Sequence, residues 1–278
     1  MQDSYGRTID YLRISVTERC NLACFYCVPD TSLCHLEHRF VLSYEQITKI
    51  ATVAVQNLGF SKIRITGGEP LVRRDIVKLI AMLRPLKGPG LLQELAMTTN
   101  GLLLAPLASD LHAAGLDSVN VSLDTMDPAL YAAITRGGNL ATVLNAVRAA
   151  IAVGLRVKIN TVVLVPEDRA RLGGVTQNIE SVRAFAESLG ALHQCIARYH
   201  LDQHKQDTET TDISRPPPCV RCNRLRLLAD GILQPCLHAD VSIPVHLDDS
   251  EGSLKRAIAL KPAHGTVCTS KSLMQIGG

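Results

Sequence analysis

Three cysteines stand close together near the start of the chain, in the run Cys20-Asn21-Leu22-Ala23-Cys24-Phe25-Tyr26-Cys27. Thiolates at spacings of four and three residues can hold three irons of a 4Fe-4S cluster and leave the fourth iron open to another ligand. A zinc site is an alternative, with Cys34 or His35 as the fourth ligand. A disulfide framework is weaker, because nine cysteines is an odd number. An open iron would be a reaction site.

A second cysteine group lies near the end of the chain. Cys219 and Cys222 form a CxxC pair, and Cys236 follows fourteen residues after Cys222, so this group also supplies three ligands. A zinc knuckle completed by His238 and a second cluster with an open iron both fit this spacing. The sequence alone leaves the two kinds of metal site open.

Arginines accompany both cysteine groups. Arg224 and Arg226 are two residues apart on a predicted strand before the hairpin turn Asp230-Gly231, so both project from one face. They would clamp a phosphate beside the open iron, and a solvated hairpin edge is the alternative. Arg13 lies opposite the apolar face of the first predicted strand, where an arginine inside a barrel requires an anion.

Composition limits the classes of function. Of 278 residues, 46% are hydrophobic and 20% are charged, which is typical of a globular protein with a large core. A net charge of +3 is too small to indicate nucleic-acid binding, and no run of about 18 apolar residues predicts a membrane span. The first ten residues lack the pattern of a secretory signal, so we expect a reducing, cytoplasmic location.

Strand and helix patterns alternate along residues 8–199, which predicts a parallel sheet with right-handed crossovers, closed in part as a barrel. Chemistry in such barrels takes place at the carboxyl ends of the strands. That rule gathers residues 20–27, 67–70 and 98–100 with Ser122 and Lys158 around one opening. The predicted strands are 8–16, 62–66, 92–98, 117–124, 156–162 and 191–199, and the predicted helices are 43–58, 76–83, 105–114, 140–153 and 175–189.

The chain is expected to divide into three parts. Residues 1–199 form the partial barrel, and residues 166–174 are predicted to be a polar loop within it. Residues 200–218 are polar and end in three prolines, which predicts a linker. Residues 219–278 form the C-terminal metal-binding segment, whose last residues, Gly277-Gly278, could thread into a crowded site.

The run CNLACFYC resembles the signature of the radical S-adenosylmethionine (SAM) superfamily. Together with KIRITGGEPLVRRD, MTTNG, VNVSLDT, the second cysteine group and the terminal Gly-Gly, it resembles the GTP 3',8-cyclase family of molybdenum cofactor biosynthesis. The resemblance implies an α/β fold, a partial (β/α)6 TIM-like radical SAM barrel with a small C-terminal cluster-binding segment. It also implies two 4Fe-4S clusters, SAM as cofactor, and conversion of GTP to (8S)-3',8-cyclo-7,8-dihydroguanosine 5'-triphosphate, the first step of molybdopterin synthesis.

The family's roles carry over by position. A cytosolic electron donor is an implied partner, and a homodimer is a further hypothesis. The catalytic set would be the first cysteine triad with Arg224 and Arg226. The resemblance assigns the SAM cluster to Cys20, Cys24 and Cys27, SAM binding to Tyr26, Gly68, Glu69 and Ser122, GTP binding to Arg13, Arg64, Thr98, Lys158, Arg224 and Arg226, and the second cluster to Cys219, Cys222 and Cys236.

One stretch departs from the family pattern. Residues 192–200 read LHQCIARYH, where the family has Phe-Ile-Glu-aromatic-Met-Pro with a SAM-contacting Met, and the stretch from there to Cys219 is shorter than in the family. Two alternative hypotheses therefore stay open: a radical SAM enzyme acting on another substrate, such as a peptide, and a divergent inactive paralogue that only binds clusters. Cys34, Cys195 and Cys268 are expected to be buried or idle thiols.

Overall fold

The computed structural model describes residues 1–28, 36–198, 200–201, 213–215 and 218–276. Cys34 and Gly277-Gly278 lie outside these residues. The strands are β1 (Tyr11–Ser15), β2 (Lys62–Thr66), β3 (Glu94–Thr99), β4 (Ser118–Ser122), β5 (Arg156–Val163), β6 (Leu192–Ala197), β7 (Ile213–Arg215), β8 (Arg224–Leu227), β9 (Ile232–Gln234) and β10 (Ile243–Pro244). The α-helices are α1 (Tyr44–Gln56), α2 (Ile76–Leu83), α3 (Leu104–Ala113), α4 (Pro128–Thr135), α5 (Leu140–Ala152), α6 (Pro166–Arg171), α7 (Ile179–Ser188), α8 (Ser250–Ala259) and α9 (Leu273–Ile276).

All ten described strands belong to one sheet, in the order β10-β9-β8-β1-β2-β3-β4-β5-β6-β7. Strands β1 to β6 are parallel neighbours in chain order, which confirms the predicted parallel α/β architecture. In the described part of the chain the sheet is open, with β7 and β10 at its edges. The predicted C-terminal hairpin is present as β8 and β9. Sequence reasoning did not foresee that β8 pairs in parallel with β1 and so extends the barrel sheet.

Alternation along the strands separates the core from the site. Leu12, Ile14, Ile63, Ile65 and Leu225 point to one face and are fully buried. Because successive side chains on a strand point to opposite faces, the residues between them point to the other face, where polar and charged side chains predominate. One sequence pattern therefore builds a packed core outside the sheet and a polar inner surface.

The core lies between the sheet and the helices α1, α2, α3, α5, α7 and α8. Helix α1 begins as predicted: Ser43 and Gln46 form a capping box. Asp75 precedes α2 but makes no capping hydrogen bond through its side chain, because its backbone is in the left-handed region, with φ of 58°. None of the described helices has both the length and the apolar character needed to span a lipid bilayer.

Three segments differ from the predicted element pattern. The predicted loop 166–174 contains α6, which begins with Pro166 at its first turn, a favourable position for proline. Helix α4 was not predicted; it begins at Pro128, and Asp127 caps it. Within the predicted linker, residues 213–215 form β7, parallel to β6. Most of that linker lies outside the described residues, and the three-part division stays a prediction.

Candidate functional site

A cavity of about 270 Å³ lies against the inner face of the sheet and reaches the loops after the strands. It brings together the first cysteine triad, the four predicted SAM residues and the six predicted GTP residues. Cys219, Cys222 and Cys236 are not among its lining residues, although their neighbours Arg224, Arg226 and Leu237 are. The predicted site residues lining the cavity are Cys20, Cys24, Cys27, Tyr26, Gly68, Glu69, Ser122, Arg13, Arg64, Thr98, Lys158, Arg224 and Arg226.

The loop that carries the first triad is fixed by backbone hydrogen bonds. Ala23 N donates to the Thr135 carbonyl at 3.3 Å, and Phe25 N donates to the Ile134 carbonyl at 3.1 Å, so the loop leans on the end of α4. Within the loop, Cys27 N donates to the Cys24 carbonyl at 2.9 Å. These contacts hold three thiols along one wall of the cavity.

The three thiols suit a positively charged partner. Burial raises the pKa of Cys20 and of Cys24. Burial, followed by the charges of Cys20 and Asp124, raises the pKa of Cys27 to about 12, while Arg198 acts in the opposite direction. Thiolates crowded in this way need nearby positive charge to offset their mutual repulsion. The iron ions of a cluster would supply that charge. Among the described residues, no three His, Cys, Asp or Glu side chains form a group that could hold a single metal ion.

Tyr26 is anchored by a carboxylate that the sequence reasoning missed. Its hydroxyl donates to Asp124 Oδ2 at 2.6 Å, and Val162 N donates to Asp124 Oδ1 at 2.8 Å. Burial raises the pKa of Asp124 to about 6, against the effect of these two hydrogen bonds. The signal was available, because Asp124 ends the predicted strand 117–124 and lies two residues beyond β4, whose last residue, Ser122, lines the site.

The glycine pair after β2, Gly67 and Gly68, is required because the backbone of residues 17–19 passes too close to leave room for a side chain. A Cβ on Gly68 would lie 2.5 Å from the Arg19 carbonyl oxygen, and one on Gly67 would lie 2.5 Å from that of Thr17. Gly68 N donates to the Thr17 carbonyl at 2.7 Å, so this close approach carries a hydrogen bond. The resemblance assigns Gly68 to SAM binding, which stays a prediction. In the structure, the close approach at both glycines is made by the segment leading into Cys20.

Glu69 is almost fully buried at 1% exposure and ties two loops together. Its oxygens accept hydrogen bonds from Leu71 N at 3.0 Å, Thr99 Oγ1 at 2.8 Å and Asn100 N at 2.6 Å. Asn100, which the sequence placed at the opening without a role, donates through its side chain to Asn21 Oδ1 at 2.7 Å and reaches Cys20 Sγ at 3.8 Å. Burial raises the pKa of Glu69 to about 7, and the accepted hydrogen bonds offset part of that rise.

Three arginines form a row across three neighbouring strands. Arg13 is in register with Arg64 on β2 and with Arg226 on β8, and neighbouring strands lie about 4.8 Å apart. Arg64 donates to the hydroxyl of Tyr11 and to the Met97 carbonyl at 3.3 Å. The sequence placed Arg13 on the inner face, Arg226 on one face of a hairpin strand, and Arg64 only by its resemblance to a family position; the row itself depends on the β1–β8 pairing.

Arg224 and Arg226 are buried, at 9% and 4% exposure, and within the described part of the chain the Nε of each has no hydrogen-bond partner. The Arg224 guanidinium lies 5.7 Å from the centre of the Tyr11 ring. An unpartnered cationic donor is costly to bury. The hypothesis that these two arginines lie on a solvated hairpin edge is therefore wrong, and their environment suits an anionic ligand.

The cavity as a whole is cationic. Among the described residues that line it, seven are basic and one, Glu69, is acidic. Lys62 is paired with Glu94, and Arg198 with the buried Asp168. Both residues were also missed: Arg198 lies in the stretch 192–200, which departs from the family pattern, and Asp168 lies in the predicted loop 166–174, to which no role was assigned. The surplus of positive charge favours a polyanionic ligand.

The second cysteine group lies at the β8–β9 hairpin. Cys219 is buried, with Cys222 and Cys236 partly buried, and Gly265 N donates to Cys219 Sγ at 3.3 Å. Burial raises the pKa of Cys236, and Lys261 and Arg226 partly counteract this effect. Cations thus surround a thiol that would be anionic as a metal ligand.

Comparison with known proteins gives a family for this site. The model of the radical SAM superfamily matches residues 14–175. The GTP 3',8-cyclase of Petrotoga mobilis is 36% identical with both chains fully covered, in an alignment of 327 positions, so that relative has segments this 278-residue chain lacks. The enzyme of the same name from Peptoclostridium acidaminophilum is 39% identical over 91% of this chain and 86% of its own.

A solved structure, native anSMEcpe with bound AdoMet, superposes with a TM-score of 0.60 over 88% of this chain and 80% of that one. At 16% sequence identity, this likeness supports the fold alone. Together with the superfamily match over residues 14–175, it confirms the predicted radical SAM fold, an α/β fold with a mainly parallel sheet. By its similarity to the cyclases over its whole length, the chain belongs to the GTP 3',8-cyclase family of the radical SAM superfamily.

Proposed function

We propose that this chain converts GTP to (8S)-3',8-cyclo-7,8-dihydroguanosine 5'-triphosphate, the first step of molybdopterin synthesis. The observation that carries the proposal is the shared cavity, in which the row Arg13, Arg64 and Arg226 faces the space beside Cys20, Cys24 and Cys27. A triphosphate carries negative charge that offsets the positive charge of the row, and guanidinium groups match phosphate oxygens in geometry.

The first triad would hold a 4Fe-4S cluster with an open iron for SAM. When bound, cluster and SAM together supply the carbon radical that removes a hydrogen atom from the ribose. The protein's part is to orient SAM through Tyr26, Gly68 and Ser122 and to keep water from the radical. Glu69 would lie near the SAM amino group, although its carboxylate oxygens already accept hydrogen bonds from Thr99 Oγ1 and Asn100 N.

The second triad, Cys219, Cys222 and Cys236, would hold a second 4Fe-4S cluster whose open iron binds the guanine. Arg224 and Arg226 would bind the same substrate, since β8 carries both from the hairpin into the cavity. Thr98 and Lys158 would complete the substrate contacts from β3 and β5. The Gly277-Gly278 tail would approach the same space.

Two partners belong to the proposal: a cytosolic donor of single electrons, which reductive SAM cleavage requires, and a second copy of the chain in a homodimer. We place the enzyme in the reducing cytoplasm, where the cysteine ligands stay reduced and do not form disulfides.

The test is anaerobic reconstitution with iron and sulfide, followed by SAM, dithionite and GTP, with products identified by mass spectrometry. We expect 5'-deoxyadenosine together with an isomer of GTP that has unchanged mass. Formation of 5'-deoxyadenosine without conversion of GTP would indicate that the enzyme acts on another substrate, such as a peptide. Neither product, with both clusters verified, would identify an inactive cluster-binding paralogue.

A matched pair of variants ties the result to the cavity. In the Arg224→Ala/Arg226→Ala double variant we expect GTP binding to fall by at least about a hundredfold, since each charged hydrogen bond contributes about 1.5–3 kcal/mol. Arg74→Ala removes an arginine whose side chain is 94% exposed, and it should bind GTP like the parent protein. Equal affinity of all three proteins would contradict the proposed substrate contacts.

A further inference from the structure

The first residues of the chain form a tight loop that presents one arginine. Asp3 accepts hydrogen bonds from Tyr5 N at 3.0 Å and Arg7 N at 3.0 Å, and its other oxygen forms an ion pair with Arg7 Nε at 2.6 Å. The two side chains are 0% and 7% exposed. Gly6 completes the turn with φ of +75°, which glycine adopts without strain. Such a pair fixes the direction in which the rest of the guanidinium points.

The free end of that guanidinium reaches the second cysteine group. Arg7 Nη1 donates to the Cys219 carbonyl at 2.9 Å and to the Ala263 carbonyl at 3.0 Å, and Nη2 donates to the Pro262 carbonyl at 2.7 Å. One side chain from the N-terminal loop therefore joins the first cysteine of the group to the segment after α8. Gly265, two residues beyond Ala263, donates to Cys219 Sγ.

Other contacts reinforce the same junction. Asn223 Nδ2 donates to Asp10 Oδ1 at 2.7 Å, and the Asn223 carbonyl accepts from Asp10 N and from Tyr11 N, each at 3.2 Å. Lys261, 2% exposed, donates to the carbonyls of Arg224 at 2.8 Å and Pro235 at 2.6 Å. Each contact joins backbone next to a cysteine or an arginine of the hairpin to a distant part of the chain.

We propose that Arg7, held by Asp3, is a positioning residue for the site formed by Cys219, Cys222 and Cys236, so that the N-terminal loop is part of the second metal site. The inference rests on the proposed function in one respect, that these cysteines hold a cluster. Arg7 acts by fixing the backbone of Cys219, whose carbonyl accepts its hydrogen bond. A buried guanidinium that donates to one carboxylate through Nε and to three backbone carbonyls through Nη1 and Nη2 has a structural purpose at that junction.

The first measurement uses the metal-free chain, so it does not depend on cluster assembly. Cysteine alkylation by iodoacetamide is followed residue by residue with mass spectrometry in the parent protein, Arg7→Met, Arg7→Lys and Arg74→Met. We expect Arg7→Met to accelerate alkylation of Cys219 about tenfold, which corresponds to about 1.4 kcal/mol of local stability. Cys20, Cys24 and Cys27 should react at the parental rate, and Arg7→Lys should lie between the two.

Two results would overturn the proposal: unchanged alkylation of Cys219 in Arg7→Met, or equal acceleration at both cysteine groups, since the latter indicates general unfolding. Asp3→Asn gives a second route to the same answer, because it releases Arg7 without replacing it. We expect it to accelerate alkylation of Cys219 less than Arg7→Met does.

Iron content separates this inference from the proposed function. After reconstitution we expect about eight irons in the parent protein and about four in Arg7→Met, with the signal of the SAM-binding cluster retained in electron paramagnetic resonance spectra. A parent protein that holds about four irons, unchanged by Cys219→Ala, would overturn the second cluster, and the alkylation rates would still decide the role of Arg7. Eight irons in both the parent protein and Arg7→Met would overturn the role of Arg7 alone.

Discussion

The carboxyl group of Glu69 gives the metal-free chain a measurable pH dependence. Burial raises its pKa from an ordinary value of 4.5 to about 7. Between these two pH values the folded chain binds more protons at Glu69 than the unfolded chain does. The contribution of Glu69 to the free energy of unfolding is therefore fully present below about pH 4.5 and is lost as the pH rises through about 7.

We expect Glu69→Gln to remove this dependence. Between about pH 5 and about pH 8, the free energy of unfolding should fall in the parent chain by on the order of 2 kcal/mol more than in Glu69→Gln. Urea unfolding of both metal-free chains across this pH range measures the difference. Comparing how steeply the free energy of unfolding changes with pH in the two chains cancels the contributions of the other titrating groups. Parallel slopes would show that Glu69 is ionised throughout.

The glycine pair offers a sharper test of the cysteine loop. Gly68→Ala places a methyl group against the backbone oxygens of Arg19 and Glu18, which cannot move independently of the loop. We expect a loss of about 1–3 kcal/mol of stability and a lower iron content at the first triad. Gly88→Ala is the matched control, since its Cβ would meet only a side-chain carbon at 3.7 Å. Equal thermal unfolding of both variants would contradict the close approach.

At the level of elements, sequence patterns were sufficient for the six parallel strands and the residues at their ends. Alternation in segments such as β1 and β2 fixes which side chains, Arg13 among them, face inward, and the carboxyl-end rule then gathers Gly68, Ser122 and Lys158. The pairing of β8 with β1 could not be foreseen, because it joins segments more than 200 residues apart and depends on the whole sheet. Asp124 was missed although its position after a strand was visible.

The short helix α6 shows the same limit and leads to a prediction. Its Arg171 and the nearby Arg198 each lie 5.5 Å from the centre of the Phe25 ring, beside the first triad. A double-mutant cycle with Phe25→Leu and Arg171→Met should give a coupling energy of about 0.5–1 kcal/mol, because a partly exposed cation–π contact contributes that much. Urea unfolding measures it.

The control for that cycle replaces Arg171→Met with Arg74→Met, whose exposed side chain lies on another segment. No coupling with Phe25→Leu is expected there. A coupling energy near zero in the Arg171 cycle too would mean that α6 does not support the cysteine loop. The loop would then depend on its backbone contacts with the end of α4.

Across the whole molecule, segments from distant parts of the chain meet at the cavity. The N-terminal loop and β1 contact the hairpin that carries Arg224 and Arg226, and Leu273 of α9 lines the same space. The open sheet thus places cations from distant segments close together, where they repel one another until an anion binds. The stability of the whole fold should therefore respond to a polyanion.

We expect inorganic tripolyphosphate to raise the Tm of the metal-free chain, because the row of Arg13, Arg64 and Arg226 binds phosphate. Guanosine should not raise it, because guanine is proposed to bind an iron of the second cluster, which the metal-free chain lacks. At about 100 times its Kd, tripolyphosphate would stabilise the fold by about 2.7 kcal/mol, a shift of several degrees for a chain of this size. The shift should shrink with added salt and disappear in Arg224→Ala/Arg226→Ala, while Arg74→Ala keeps it. A shift of equal size in the double variant would assign the anion to another surface, and a larger shift with guanosine would mean that the cavity recognises the base before any cluster is present.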